Sequence, residues 1–251
     1  MRRLLLFVFV ALFAGQVQAY FNFSAICSSG QTLYYWKSSE YTVRIVQPNS
    51  TGYSYDGYIM PKGDLVIPES VTFEGNTYIV TEIGNFAFGW CKDLTSVSIP
   101  NSITNIYTNA FVRCDGLKSV IINSEANLRD AELSFKKGNI RYKVKSKNTA
   151  WVISTVDSDS RYSGNIVIPT KVIAGNTFTV TGIGYKSFAA CIDLTSISIP
   201  NSVTYVSENA FESCIHLTTI YCQAKAKPSD WDPKWNPNNY KVVWGAVNKF
   251  K

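Results

Sequence analysis

Apolar and polar residues alternate in short runs that recur along the chain. In segment 94–100, Leu94, Val97 and Ile99 are separated by threonine and serine, and a proline ends the run. Alternation of period two is typical of a β-strand with one buried face, and proline ends a strand because it lacks the backbone donor. The pattern therefore predicts a short strand whose serines lie on the outward side.

This strand pattern occurs six times, in two blocks of three. The predicted strands lie at 65–68, 94–100, 117–123, 166–169, 194–200 and 217–222. Residues 75–123 also recur as residues 175–223, with 24 of 49 positions identical. A period of about 20 to 30 residues is typical of a solenoid, in which each unit buries its apolar face only by stacking on a neighbour. We therefore predict a mainly β repeat solenoid of two three-unit blocks with β caps.

The segments between the strands predict the convex side of the solenoid. In the first block, Ile103, Ile106, Ala110 and Phe111 are expected to point inward before a turn at Cys114. These spacings predict short helical or irregular arms. The core is expected to rest on one aromatic position per arm, occupied by Phe88, Phe111, Phe188 and Phe211.

Segments rich in aromatic and β-branched residues precede each block and predict antiparallel strands that cap the solenoid. A Gly-Asn pair at 75–76 and again at 175–176 predicts a hairpin at the start of each block. The polar segment 124–137 is the expected boundary between the blocks, and Trp231, Trp235 and Trp244 predict a plug on the last unit. The expected division is a signal peptide at 1–19, an N-terminal β cap at 20–63, repeat block 1 at 64–123, a linker and second β cap at 124–163, repeat block 2 at 164–223 and a Trp-rich C-terminal cap at 224–251.

The cysteines favour burial over metal binding. Four of the six share one inward repeat position, which suits free buried thiols, although an oxidising compartment also permits disulfides. These four are Cys91, Cys114, Cys191 and Cys214, whereas Cys27 and Cys222 lie outside that position. Spacings of 23 residues with a single histidine resemble no zinc-ligand pattern, so neither a metal nor a cofactor is predicted.

The N-terminus predicts secretion. Arg2 and Arg3 precede an apolar run of ten residues, and a small-residue cleavage site follows near Ala19. This is the pattern of a signal peptide, and no later apolar run approaches the roughly 20 residues of a membrane span. Removal of Arg2 and Arg3 lowers the formal net charge from +6 to +4. Such a mild charge does not indicate nucleic-acid binding.

The unit Ile-Pro-Asn-Ser-Val-Thr, followed by Asn-Ala-Phe, Cys and Leu-Thr-Ser-Ile, resembles the BspA-like class of leucine-rich repeat. The first block carries it at 99–104 with 109–117, where Ile103 replaces the valine, and the second block carries it at 199–204 with 209–217. The resemblance implies a secreted or surface-exposed bacterial protein, in some members an adhesin that contacts host proteins such as fibronectin or fibrinogen. The family has no catalytic motif to transfer to this chain.

The candidate catalytic residues predict no enzyme. His216 is expected to be an exposed turn residue rather than a general base. The pairs Asp157/Asp159 and Asp230/Asp232 lie among serines and prolines, so solvated turns are favoured over calcium binding or glycoside hydrolysis. The segment 182–184 lacks the third glycine and the helix of a phosphate-binding loop.

A basic run is the clearest charge feature, and it has two interpretations. Its members are Lys136, Lys137, Arg141, Lys143, Lys145 and Lys147. The residues from 141 to 147 alternate with uncharged ones, so one strand face would be cationic. That face is expected either to attract an acidic glycan or protein surface or, as the favoured interpretation, to protect an edge strand from aggregation.

We therefore expect a non-enzymatic binding protein, secreted or displayed at the cell surface, that contacts extracellular or host-surface proteins and, as a further class, acidic glycans. The alternatives are a glycan-binding accessory protein that uses the C-terminal Trp/Asp cluster, and a structural envelope component. The predicted binding residues are the outward positions of the unit strands: Ser96, Ser98, Lys118, Ser119, Ile121, Ser196, Ser198, Thr219 and Tyr221.

Overall fold

The computed structural model describes residues 21–49, 55, 57–126, 128, 130–155 and 161–247. The predicted signal peptide at 1–19 and the pair Asp157/Asp159 lie outside the described residues. The strands are β1 (Phe23–Ile26), β2 (Thr32–Lys37), β3 (Thr42–Val46), β4 (Gly63–Val66), β5 (Ser70–Phe73), β6 (Asn76–Ile83), β7 (Leu94–Ile99), β8 (Asn105–Ile106), β9 (Ser119–Ile122), β10 (Ser134–Lys137), β11 (Ile140–Ser146), β12 (Thr149–Ile153), β13 (Gly164–Val167), β14 (Lys171–Ala174), β15 (Asn176–Ile183), β16 (Leu194–Ile199), β17 (Tyr205–Val206), β18 (Thr219–Cys222) and β19 (Lys241–Trp244).

The unit strands form two parallel sheets, one in each block. Their orders are β4-β7-β9 in the first block and β13-β16-β18-β19 in the second. Equivalent apolar residues pair in register, as in Val97 with Val120 and Ile197 with Ile220, and all four are buried. The predicted repeat fold is confirmed, because each unit strand stacks on the next.

The two parallel sheets do not join into one long sheet within the described residues. The β14–β15 hairpin of the second block meets the edge of β9 instead, through a single bridge between Gly175 and Val120. Asn176 strengthens this joint, because its side-chain amide donates to the carbonyl of Ile122 at 3.0 Å. The outward face of the solenoid is therefore divided between the blocks.

The capping segments join a second pair of sheets on the opposite side of the solenoid. Their orders are β1-β2-β3-β6-β5 with β8 paired to β6, and β10-β11-β12-β15-β14 with β17 paired to β15. The meanders β1–β3 and β10–β12 are antiparallel, as expected. They pair with β6 and β15, however, and not with the first unit strands, β4 and β13.

The arms lead from β6, β8, β15 and β17 to the next unit strand as successive turns, and no helix element occurs in the described part of the chain. Each arm places two residues in the left-handed region, four positions apart. These residues are Phe86 and Trp90, Asn109 and Arg113, Lys186 and Ala190, and Asn209 and Ser213. A positive φ breaks a right-handed helix. The arms are therefore irregular and not helical, which is one of the two forms that the sequence predicted.

Phenylalanine and cysteine columns fill the core between the two layers. The rings of Phe88 and Phe111 stack with centroids 5.2 Å apart, and those of Phe188 and Phe211 do the same. The thiol of Cys114 donates to the carbonyl of Phe88 at 3.0 Å. All six cysteines are free and buried, in agreement with the favoured prediction for the shared repeat position.

The boundary segment continues the solenoid instead of separating the blocks. The backbone N–H of Asn109 donates to the carbonyl of Asp130 at 2.7 Å, and that of Phe111 to Ala131 at 2.9 Å. Leu128, Ala131 and Leu133 are buried. The segment is polar in composition, but its few apolar side chains occupy the core positions of a further partial unit.

Candidate functional site

The parallel sheets bring the predicted binding residues together in rows. One row joins Ser96 to Ser119 in the first block, and its counterpart joins Ser196 to Thr219 in the second. Lys118 is exposed immediately before β9. A second row joins Ser98 to Ile121, and its counterpart joins Ser198 to Tyr221. The predicted site is therefore two similar patches, one in each block.

An amide or carboxylate at the first strand anchors the hydroxyl row. Asp64 accepts hydrogen bonds from the Thr95 hydroxyl at 2.9 Å and from the Ser96 hydroxyl at 2.6 Å. Asn165 accepts the equivalent bonds at 2.8 Å and 2.7 Å in the second block. The bonds from Ser96 and then Thr95 lower the pKa of Asp64. These hydroxyls are pre-oriented before any partner arrives.

Sequence reasoning missed Asp64 and Asn165, although a signal was present. Each residue directly precedes the first inward aliphatic side chain of its block's opening strand. In a strand, the neighbours of an inward residue face outward. Both residues therefore belonged to the outward face and could have been included.

The second row is more apolar than the sequence analysis expected. Val66, Ile121 and Val167 are 42%, 39% and 46% exposed. Because β7 lies between β4 and β9, Ser98 on β7 has Val66 as its register neighbour on one side and Ile121 on the other. The sequence prediction did not include the two valines, although each follows an inward aliphatic residue and therefore faces outward.

Ser198 was wrongly predicted as a contact residue, because it is only 4% exposed. Its strand lies between β13 and β18, and its direct neighbours in register are Val167 and Tyr221. Its counterpart Ser98 has the same arrangement with Val66 and Ile121 and is partly exposed. The second row of block 2 is therefore formed by Val167 and Tyr221.

The basic run spans two strands, and its part on β11 is neither an edge strand nor a bare cationic face. β11 is a central strand, with β10 on one side and β12 on the other. Arg141 is buried and pairs with Asp115 at 2.9 Å, and Lys143 pairs with Glu132. The run continues with Lys147, which pairs with Glu125 at 3.1 Å, and with Lys145, which lies 4.4 Å from the ring centroid of Trp151. The edge-strand interpretation of segment 141–147 is therefore wrong, because β11 is paired on both sides. The attraction of an acidic partner stays a prediction, and Lys136 and Lys137 are exposed on β10.

The tail tryptophans form a plug, which excludes Trp231 and Trp235 as an exposed platform. Both are buried, and the Trp231 indole N–H donates to the carbonyl of Val203 at 3.3 Å. The Trp235 ring meets Phe211 edge to face at 5.8 Å, so it extends the aromatic column of the second block. The predicted glycan-binding role for the C-terminal tryptophans therefore fails for these two rings.

His216 and the cysteine thiols are the next described residues with possible chemistry. His216 is exposed, as expected for a turn residue. Burial raises the pKa of the Cys91, Cys214 and Cys222 thiols to about 12, which disfavours the reactive thiolate form. Among the described residues, no three His, Cys, Asp or Glu side chains converge on a possible metal position. No helix in this part of the chain is long and apolar enough to span a membrane.

Solved structures of bacterial leucine-rich repeat proteins are similar to this chain. A protein from Bacteroides ovatus ATCC 8483 has 20% sequence identity and a TM-score of 0.39, over 78% of this chain and 56% of that one. A protein from Bacteroides capillosus ATCC 29799 has 21% identity and a TM-score of 0.34, over 44% of this chain and 97% of that one. A leucine rich cell surface protein from Faecalibacterium prausnitzii A2-165 has 13% identity and a TM-score of 0.24, over 91% of this chain and 96% of that one.

No curated protein matches the chain. The model of the BspA type leucine rich repeat region matches it in six copies, over residues 68–150 and 165–229. These ranges contain the stacked unit strands β7, β9, β16 and β18. They cover more than half of the chain, and the protein therefore belongs to the BspA-type leucine-rich repeat family.

Proposed function

We propose that the protein is a non-enzymatic binding protein, secreted or displayed at the cell surface, that contacts extracellular or host-surface proteins through its two outward sheet patches. The N-terminal signal-peptide pattern supports export. Family membership supports a surface-presenting role. The observation that carries the proposal is the set of exposed aliphatic side chains, Val66 and Ile121 in the first block and Val167 in the second, beside pre-oriented hydroxyls.

A protein partner fits these patches better than a glycan does. Protein interfaces combine an apolar centre with a polar rim that forms hydrogen bonds. Here Val66 and Val167 supply the apolar part, and the anchored hydroxyls of Ser96 and Ser196 supply the polar part. In the first block, the β-branched Val66 and Ile121 offer no flat ring for a sugar to stack on. The acidic-glycan contact does not enter this proposal, because the lysines and arginine of β11 largely have their own partners.

The division of the face between two blocks suits a partner that contacts both patches. Two weak contacts on one chain act together when the partner spans both, because the second contact becomes intramolecular. Each patch by itself is small, with Val66 and Ile121 exposed in the first block and Val167 near Tyr221 in the second. A single substitution in either patch should therefore weaken binding strongly.

The test compares two exposed isoleucines on different sheets. Immobilised extracellular-matrix proteins and a matched set of polysaccharides are exposed to the wild type, to Ile121→Lys and to Ile79→Lys. Ile79 lies on β6, away from the parallel sheets, and is also exposed. We expect binding to one or more matrix proteins, reduced about tenfold or more by Ile121→Lys and unchanged by Ile79→Lys, because charge at an interface centre costs desolvation energy.

Equal binding by the two variants would contradict the sheet-patch proposal. Binding to no protein in the set would favour a structural envelope component instead. Thermal melts of both variants control for folding, since a charged side chain at an exposed strand position should alter stability only slightly.

A further inference from the structure

A pair of aromatic rings lies on the outer mixed sheet of the second block. Trp151 on β12 and Tyr205 on β17 are register neighbours of Gly182 on β15, one on each side. Their rings are stacked, with centroids 4.7 Å apart and an interplanar angle of 19°. A Cβ at position 182 would come within 2.7–2.8 Å of three atoms of the Trp151 indole. The glycine therefore lets the indole lie directly on the backbone.

The first block carries a different set of residues at the same place. Arg44, Glu82 and Asn105 occupy the register positions of Trp151, Gly182 and Tyr205. Arg44 forms an ion pair with Glu82 at 2.5 Å and donates to the Tyr107 hydroxyl at 3.0 Å. One scaffold thus accepts a charged cluster or an aromatic stack at this row. The fold itself does not require the rings.

Polar groups stand on both sides of the aromatic pair. The Lys145 ammonium lies 4.4 Å from the Trp151 ring centroid. On the other side, a bridge pairs Val206 with Trp231, both inward and buried. Asp230 precedes Trp231 in a turn, so this bridge brings its backbone close to that of Tyr205, which precedes Val206. Both are exposed, Tyr205 by 36%.

We propose that this outer row, formed by Trp151, Gly182, Tyr205 and Asp230, binds a hexopyranose unit of an extracellular polysaccharide. The electron-rich face of an aromatic ring attracts the C–H groups of one sugar face. Trp151 holds the Tyr205 ring flat, and the outer side of that ring stacks on the sugar. Asp230 accepts hydrogen bonds from sugar hydroxyls and Lys145 donates one, which fixes the orientation of the ring.

This site is separate from the sheet patches assigned to protein partners. It lies on the sheet of β10–β12, β14, β15 and β17, whereas the patches lie on the parallel sheets. It also differs from a platform of C-terminal tryptophans, because Trp231 and Trp235 are buried. Of the C-terminal pair Asp230/Asp232, only Asp230 enters the site.

The test is saturation-transfer NMR with methyl β-D-glucopyranoside and methyl β-D-galactopyranoside, followed by calorimetry with a neutral β-glucan and a neutral galactan. The main variant is Tyr205→Asn, because Asn105 occupies the equivalent position of the first block and the scaffold accepts it. The control is Tyr41→Asn, at an exposed tyrosine beside β3. Asp230→Asn serves as a second variant that leaves the aromatic pair intact.

We expect transfer to the ring protons of at least one glycoside and an affinity for the matching polysaccharide. Tyr205→Asn should weaken that affinity by about three- to tenfold, and Asp230→Asn should weaken it with the aromatic pair retained. Tyr41→Asn and the sheet-patch variant Ile121→Lys should bind sugar as the wild type does. Transfer from neither glycoside with no heat from either polysaccharide, or sugar binding unaffected by Tyr205→Asn in a folded protein, would overturn the site.

Discussion

Single residues in the arms set the geometry of each turn. Eight of them, two per arm, have a positive φ, and only Asn109 and Asn209 are of a type that tolerates it well. The left-handed conformation costs an ordinary residue about 1–2 kcal/mol, because its Cβ approaches the following carbonyl. The stacked units impose this conformation, because backbone hydrogen bonds tie the turns of successive units together. For example, the N–H of Trp90 donates to the carbonyl of Val112 in the next unit at 2.8 Å.

Ala190→Gly should therefore stabilise the protein. Ala190 has a φ of 54°, and glycine removes the Cβ clash while it adds unfolded-state entropy. The net gain in the free energy of unfolding should be up to about 1 kcal/mol. Denaturant unfolding measures it, with Ala189→Gly as the control, because Ala189 lies outside the left-handed region. That control should lose about 0.5–1 kcal/mol. A similar loss in both variants would contradict the account of strain.

The hairpins show how one element acquires different roles in the two blocks. Gly75 and Gly175 have the same conformation, with φ of 79° and 80°. A Cβ at Gly75 would meet nothing within 4 Å, whereas one at Gly175 would lie 2.7 Å from the carbonyl oxygen of Val120. The first hairpin needs glycine only for its turn. The second also needs it for close contact with β9 at the joint between the blocks.

Gly175→Ala should consequently cost more stability than Gly75→Ala. Both variants lose about 1 kcal/mol to the positive φ. Gly175→Ala loses a further 1–3 kcal/mol or so, because the backbone of β9 must move away from the new methyl group. Urea unfolding of the two variants measures the difference directly. Equal losses would show that the hairpin is not closely packed on β9.

In the whole molecule, one buried core runs through the caps, both blocks and the tail. The joint between the blocks is itself aromatic, because Phe135 of β10 lies 5.4 Å from Phe178 of β15. The column of the second block passes from Tyr162 through Phe188 and Phe211 to Trp235. Continuous packing of this kind favours cooperative unfolding of the two blocks.

The six cysteines provide a measure of that cooperativity. All are free and buried, so none should react with a thiol reagent in the native protein. In denaturant without a reductant, we expect six thiols to react, and their exposure should follow the loss of far-ultraviolet circular dichroism. Fewer than six reactive thiols in the unfolded chain would reveal a disulfide. Exposure in two separate transitions would show that the blocks unfold independently.

The period of the chain and the identity of its inward residues determined the fold by themselves. A stacked unit needs only its own apolar positions and an identical neighbour, so the strands, the phenylalanine columns and the buried cysteines followed from the pattern. Tertiary structure decided everything that depends on residues far apart in the chain. Ser198 is buried by its neighbours on two other strands, and β11 is central because β12 turns back beside it. The Trp151 ring lies on Gly182 because β12 of the preceding cap pairs in parallel with β15. No local alternation of polar and apolar residues specifies that pairing.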